Sequence, residues 1–389
     1  MAHFIGGAGD EKKVEYIELI FDLIFVYILG RNNSLLHSVD GGFISAQTYI
    51  TYILTALIAL HIWYFTTVFI NRYGSGGAAE YIGLFITMYL LYYMADGTRI
   101  DWHSYYVKYS TAWALIMVNL AVQYIIKLKK SGGLRPWEDV QIKNIIRNLI
   151  IEAAVIFISI PVFIRTSIPL APLAMVFGII AAMLTRKASV LKPVDFAHLT
   201  ERVMLYVVFS FGEMIIGTAG YFEGDVTPAS IYYSTMCFVI VVGLFLSYGF
   251  VYDRIIDREM KTTGTAYMII HVFLITALNN LTVALEFMRE PEISDIPKNI
   301  FLVASFLVYF MFLFLLENFA KERLRGTKRF YIKLAAAAAV FCALMAAFYQ
   351  NGMISIAVTA LFVFAVYITL RLFEKNAGND PLFQKSAKA

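Results

Sequence analysis

The sequence predicts an all-α polytopic membrane protein of about twelve transmembrane helices, with both termini cytoplasmic. Three observations carry this. Of 389 residues, 60% are hydrophobic and only 15% charged, against roughly 25% charged in an ordinary soluble domain. So few charges cannot cover a soluble surface of this size. Twelve stretches approach the about 20 apolar residues that a spanning helix needs, and basic residues gather in alternate loops. The composition excludes a cytosolic enzyme, a nucleic-acid binder and a disordered protein. The formal net charge of +4 belongs to membrane loops and is not a nucleic-acid signal.

In chain order the expected spans are 14–34, 44–70, 80–96, 105–126, 142–164, 167–185, 199–219, 229–252, 264–285, 299–318, 331–349 and 352–372. The first carries Glu18 and Asp22, and the third is short and ends at Asp96. Met1 to Lys13 shows no basic segment followed by an apolar run and a cleavage site, so the first span is expected to be retained. Cys237 and Cys342 lie in apolar runs and suggest buried thiols rather than a disulfide framework.

Placing both termini inside leaves six of the 32 basic residues on the outer side: Arg31, Arg99, Lys108, Arg165, Arg289 and Lys298. The other 26 fall in inner loops, tails or adjoining helix ends, among them the run Lys321, Arg323, Arg325, Lys328 and Arg329. That bias sets the orientation, and the even number of spans agrees with it. The basic run reads as topology.

Six helices followed by six suggest a tandem repeat, residues 1–192 and 193–389. At an offset of 183, Glu18 falls on Glu201, Phe65 on Tyr248, Val68 on Val251 and Phe69 on Tyr252. An even number of spans per half makes the repeats parallel, an arrangement found in transporters with the site at the repeat interface.

An acid at the bilayer centre costs about 2.5–3.5 kcal/mol on insertion scales, so it must face a partner or a water-filled cavity. Glu18 and Asp22 share one helix face by their i, i+4 spacing, and Asp22 sits about 14 Å deep, near the midplane. Such a carboxyl pair can take up and release protons, or it can be a neutralised structural pair. The seventh span opens His198-Leu-Thr-Glu201-Arg202. His198 and Glu201 share a face, and Arg202 is the natural counter-ion for Glu18 and Asp22. Thr200 is a candidate cap, which would make His198 and Glu201 ordinary terminus residues. Glu213 lies about 18 Å beyond Glu201, with no basic residue nearby in sequence.

Asp22 and Glu213 are therefore the expected proton or ion sites. Glu18, His198, Glu201 and Arg202 form an expected charge network or gate. His61 and His271 are mid-span and serve either as proton relays or as interhelical hydrogen-bonding groups. Glu152 and Asp253 are lesser candidates. Asn119, Gln123, Asn279 and Asn280 can line a cavity or bridge helices.

Several motifs fail. Gly74-Ser-Gly76-Gly77-Ala78-Ala79 matches a dinucleotide pattern but lies between spans with no βαβ unit. No phosphate-binding G-x-x-x-x-G-K-[ST] or H-E-x-x-H sequence occurs, and no potassium-channel filter. No cofactor or metal is called for.

The residues resemble a known family. Glu18-Leu-Ile-Phe-Asp22-Leu-Ile-Phe25-Val26 is similar to the opening signature of the bacterial low-temperature-requirement A (LtrA) proteins. His198-Leu-Thr-Glu201-Arg202, with Leu205 and Gly212-Glu213, is similar to their central signature. Trp63-Tyr64-Phe65 and Tyr252-Asp253-Arg254 are similar to their paired aromatic segments. The first of these usually begins with two tryptophans, where only Trp63 is present, and Tyr252 stands where phenylalanine is more usual. The resemblance covers nearly the whole chain. It implies a multi-pass protein of the bacterial cytoplasmic (inner) membrane, associated with growth at low temperature, and supplies no biochemical activity.

Three function classes stay open. A secondary transporter of a small solute, proton-coupled through buried carboxylates, fits the repeat and the acids best. The alternatives are an intramembrane lipid-directed or metal-dependent enzyme using His198 and Glu201, and a cation channel. The expected partners are a small solute or ion and membrane lipids, with a homo-oligomer left open.

Overall fold

The computed structural model describes residues 13–96, 102–130, 136–184 and 193–378. Lys12, Arg99, Arg135, Arg186, Lys187, Lys192, Lys385 and Lys388, used above for orientation, lie outside the described residues. Twelve α-helices are described: α1 (Tyr16–Asn33), α2 (Ala46–Tyr73), α3 (Ala78–Asp96), α4 (Trp102–Lys130), α5 (Pro136–Thr166), α6 (Pro172–Leu184), α7 (Phe196–Gly217), α8 (Pro228–Phe250), α9 (Thr265–Phe287), α10 (Asp295–Leu315), α11 (Lys328–Ala347) and α12 (Gly352–Gly378). They coincide one for one with the expected spans. Eleven are long and apolar enough to cross a membrane. The sixth differs: α6 is apolar, but 13 of its residues are described, short of the about 20 a crossing needs. The chain is a multi-pass helical membrane protein. Helices suit this environment because they satisfy every backbone donor and acceptor within one segment.

The periodicity of α3 shows how such a helix serves two solvents. Ile82, Phe85, Ile86 and Tyr89 are exposed, while Gly83, Leu84, Thr87, Met88 and Leu91 are buried. Both faces are apolar, and what sets the inner face apart is that it carries the glycine and the threonine. On that inner face the Asn119 amide of α4 donates to the Gly83 carbonyl (2.8 Å) and to Thr87 (2.9 Å). A Cβ at Gly83 would strike Gln123. The polar pair Asn119 and Gln123 therefore sits at the α3–α4 contact.

By contacts the described residues divide into two compact units. The first draws on Met1–Leu35, Ile50–Tyr206 and Arg258–Met268; the second on Leu36–Tyr49, Val207–Asp257 and Ile269–Ala389. In the first, α1 packs on α3, α3 on α4, α4 on α5 and α5 on α6. In the second, α8 and α11 both pack on α12, and α10 on α11. Local chemistry sets the helix ends. Thr227 and Ser230 form a reciprocal capping box at the start of α8, with Pro228 in the first turn. A π-helical turn, Val251–Ile255, follows α8.

A two-stranded hairpin in the second unit was not expected. β1 (Val39–Asp40) pairs antiparallel with β2 (Phe43–Ile44), Val39 opposite Ile44 and Asp40 opposite Phe43. Gly41 and Gly42 turn the chain with φ of 60° and 88°, the left-handed pair that a two-residue hairpin loop requires. The Gly42 carbonyl accepts from the Ser294 N–H at 2.9 Å, and a Cβ at Gly42 would press on the Ser294 hydroxyl.

Candidate functional site

The site lies in the first unit, where α1, α2 and the first half of α7 bring together four of the residues singled out above. On α1 the i, i+4 spacing stacks Glu18 above Asp22, about 6 Å apart along the axis. On α7 the same spacing stacks His198, Arg202 and Tyr206. Glu18 is 2% exposed, and Asp22 and Arg202 are fully buried.

Arg202 is held as a fork. Its Nη2 donates to Asp22 Oδ1 (2.9 Å) and its Nε to Asp22 Oδ2 (3.2 Å), a bidentate pairing that suits a planar guanidinium. Its Nη1 lies 3.0 Å from Glu18 Oε2, a close ion contact. The guanidinium also sits 5.8 Å from the centre of the Phe21 ring, within cation–π range. Asp22 gains a third donor: Trp63 Nε1 on α2 donates to Oδ1 at 2.9 Å. The Trp63 indole is fixed by stacking on Tyr206, with ring centres 4.6 Å apart.

His198 faces Glu18, its Nε2 3.3 Å from Glu18 Oε1. The other ring nitrogen is set by Asn71. The Asp195 N–H donates to Asn71 Oδ1 (3.0 Å), and the Asn71 Nδ2 donates to the Asp195 carbonyl (2.9 Å). Those two backbone contacts fix which end of the amide is oxygen. The amide nitrogen, 3.0 Å from His198 Nδ1, is therefore a donor there, and Nδ1 must accept. A ring that accepts at Nδ1 is neutral and carries its proton on Nε2, the nitrogen beside Glu18.

The start of α7 corrects one expectation. The His198 N–H is capped by Asp195 Oδ1 at 3.0 Å. Thr200 is instead an interior residue whose hydroxyl donates to the Ala197 carbonyl (2.9 Å). Glu201, one position from Arg202, points to another side: it is half-buried and makes no hydrogen bond or ion pair among the described residues.

The remaining candidates lie elsewhere. His61 on α2 and Glu152 on α5, named separately from sequence, meet at 3.0 Å with side chains 4% and 0% exposed. Gly178 on α6 makes room for them, since any Cβ there would strike the Glu152 carboxylate. In the second unit, His271 Nε2 lies 3.3 Å from the Tyr248 hydroxyl. Glu213 is half-buried, and Asp253 is exposed in the π-helical turn. Among the described residues no three His, Cys, Asp or Glu side chains converge as a metal-binding group.

The family model described as bacterial low temperature requirement A protein (LtrA) matches residues 13–367. The chain belongs to the LtrA family. That match spans every residue of the buried network. No curated protein matches the chain.

Sequence reasoning missed Asn71 and Asp195, and saw Trp63 as part of an aromatic segment only. Asp195 carried a signal: an aspartate just before an apolar helical run is a cap signature. Asn71 and Trp63 carried none, because their roles depend on which helix lies opposite.

Proposed function

We propose that this LtrA-family protein is a proton-coupled secondary transporter of a small solute, and that the Glu18–Asp22–His198–Arg202 network is its proton site. The observation behind this is a count of buried charge. With His198 held neutral by Asn71, one guanidinium faces two carboxyls. A buried net charge is costly, so the network reaches neutrality with one added proton. Asp22 spends both oxygens on three aligned donors, Trp63 and two from Arg202, as an ionised carboxylate does. Of the two acids, Glu18 is the one beside the His198 ring, at 3.3 Å, so the proton belongs on Glu18, where it can exchange through the imidazole.

In this reading the protein lies in the bacterial inner membrane with both termini cytoplasmic. Residues 1–192 and 193–389 are parallel six-helix repeats that move about a midplane site, with Glu213 a second acid on the route.

Purified protein in liposomes holding a pH-sensitive dye tests this, with a small-molecule cell filtrate outside as the solute pool. Wild type is expected to carry protons inward with solute, and Glu18→Gln, which fixes the neutral side chain, to lose that flux while staying folded. Equal proton flux in wild type and Glu18→Gln would remove Glu18 from the mechanism.

A further inference from the structure

The loop before α11 and the last turns of α12, both in the second unit, border an open cavity of about 550 Å³. Arg323, Arg325, Arg329 and Lys333 line it, all exposed and in no salt bridge among the described residues, though Arg325 also lies near enough to Glu317 to act on its charge. Against these four cations the lining holds one acid, Glu322. The apolar part is Leu372, Ala377 and an aromatic pair, Phe330 and Phe373, with ring centres 4.5 Å apart. Topology accounts for the sign of these charges. It does not require them to converge on one cavity, nor that cavity to be lined by aromatic rings.

The cavity lies at the ends of two membrane-crossing stretches, the start of Lys328–Ala347 and the end of Gly352–Ala377. That is the level of lipid headgroups, where basic pockets between helices take anionic lipid. Three of the four cations are arginines, whose planar forks match phosphate oxygens in pairs. We propose that this cavity binds a phosphate group, presented by an anionic phospholipid whose chains run down the apolar side. The same chemistry would accept free phosphate, and the two sources separate by experiment.

The test uses the full chain, purified and delipidated in neutral detergent. Short-chain fluorescent phosphatidylglycerol is titrated, with phosphatidylcholine as the neutral comparison, and inorganic phosphate is titrated separately by calorimetry. Wild type is expected to bind phosphatidylglycerol saturably and phosphatidylcholine at least tenfold more weakly. Arg325→Gln/Arg329→Gln should weaken phosphatidylglycerol binding roughly tenfold or more, at about 1 kcal/mol per basic residue. Lys328→Gln, exposed but outside the lining, should leave it unchanged.

Inorganic phosphate that binds, and loses binding in the same double variant, identifies a soluble source for the same site. Equal affinity for the two lipids with no phosphate binding would overturn the proposal. So would a folded double variant that matches wild type in both arms. Salt titration of wild type guards against a misfolded variant: binding that ignores salt would also overturn the proposal, because exposed charges are screened.

Discussion

Replacing Arg202 by glutamine removes the guanidinium that bridges Glu18 and Asp22. Three short contacts go with it, at 2.9 and 3.2 Å to Asp22 and 3.0 Å to Glu18. Asp22 keeps the Trp63 N–H, and both carboxyls stay buried. Breaking a buried charge pair by deleting one partner costs about 3–5 kcal/mol, because the other charge is left uncompensated. A thermal melt of the purified protein in detergent should therefore drop on the order of 10 °C, at about 2–4 °C per kcal/mol for a unit of this size. The triple variant Glu18→Gln/Asp22→Asn/Arg202→Gln removes the charges together and should recover most of that loss, since a neutral replacement of a buried triad is often tolerated. The non-additivity is the signature of one coupled network. An Arg202→Gln melt within 1–2 °C of wild type, or a triple variant that melts below it (roughly the resolution of such a comparison), would refute the charge-pairing argument.

Asn71→Leu removes the amide that donates to His198 Nδ1. The proton is then no longer fixed on Nε2, which should be seen in the ¹⁵N shifts of His198 as a change from one neutral tautomer to a mixture of the two. Gly178→Ala sets a methyl against the Glu152 carboxylate and should cost about 1–3 kcal/mol in a denaturation series, with Glu152→Ala in the same chain restoring the room. Gly42→Ala forces a side chain onto a φ of 88° beside Ser294; a loss of about 1–3 kcal/mol is expected, read as lower melting temperature.

The ladders of the site were legible because helical spacing is a property of one segment. Glu18 with Asp22, and His198 with Arg202, follow from i, i+4 alone, and charge sign then proposes that they meet. What helical spacing does not encode is which helices are neighbours. His61 and Glu152 were both visible as buried polar residues, but their pairing needs α2 against α5 and a glycine on α6. The role of Asn71 needs its amide oriented by the Asp195 backbone. The spans were legible from hydropathy; at α6 the apolar run expected over 167–185 begins with the loop 167–170, after which 13 helical residues are described. The hairpin had a signal in Asp40-Gly41-Gly42, overshadowed by the apolar span that follows.

The central claim is that the buried network holds one exchangeable proton on a carboxyl. Infrared difference spectroscopy of the purified protein reads this through the carbonyl stretch of a protonated carboxylic acid, exchanged between light and heavy water. Comparing wild type with Glu18→Gln isolates the network from other buried acids such as Glu152. The account expects one protonated-carboxyl band in wild type that Glu18→Gln removes, and a larger band in Arg202→Gln, where two carboxyls must be neutralised. A wild-type spectrum unchanged by Glu18→Gln would contradict it.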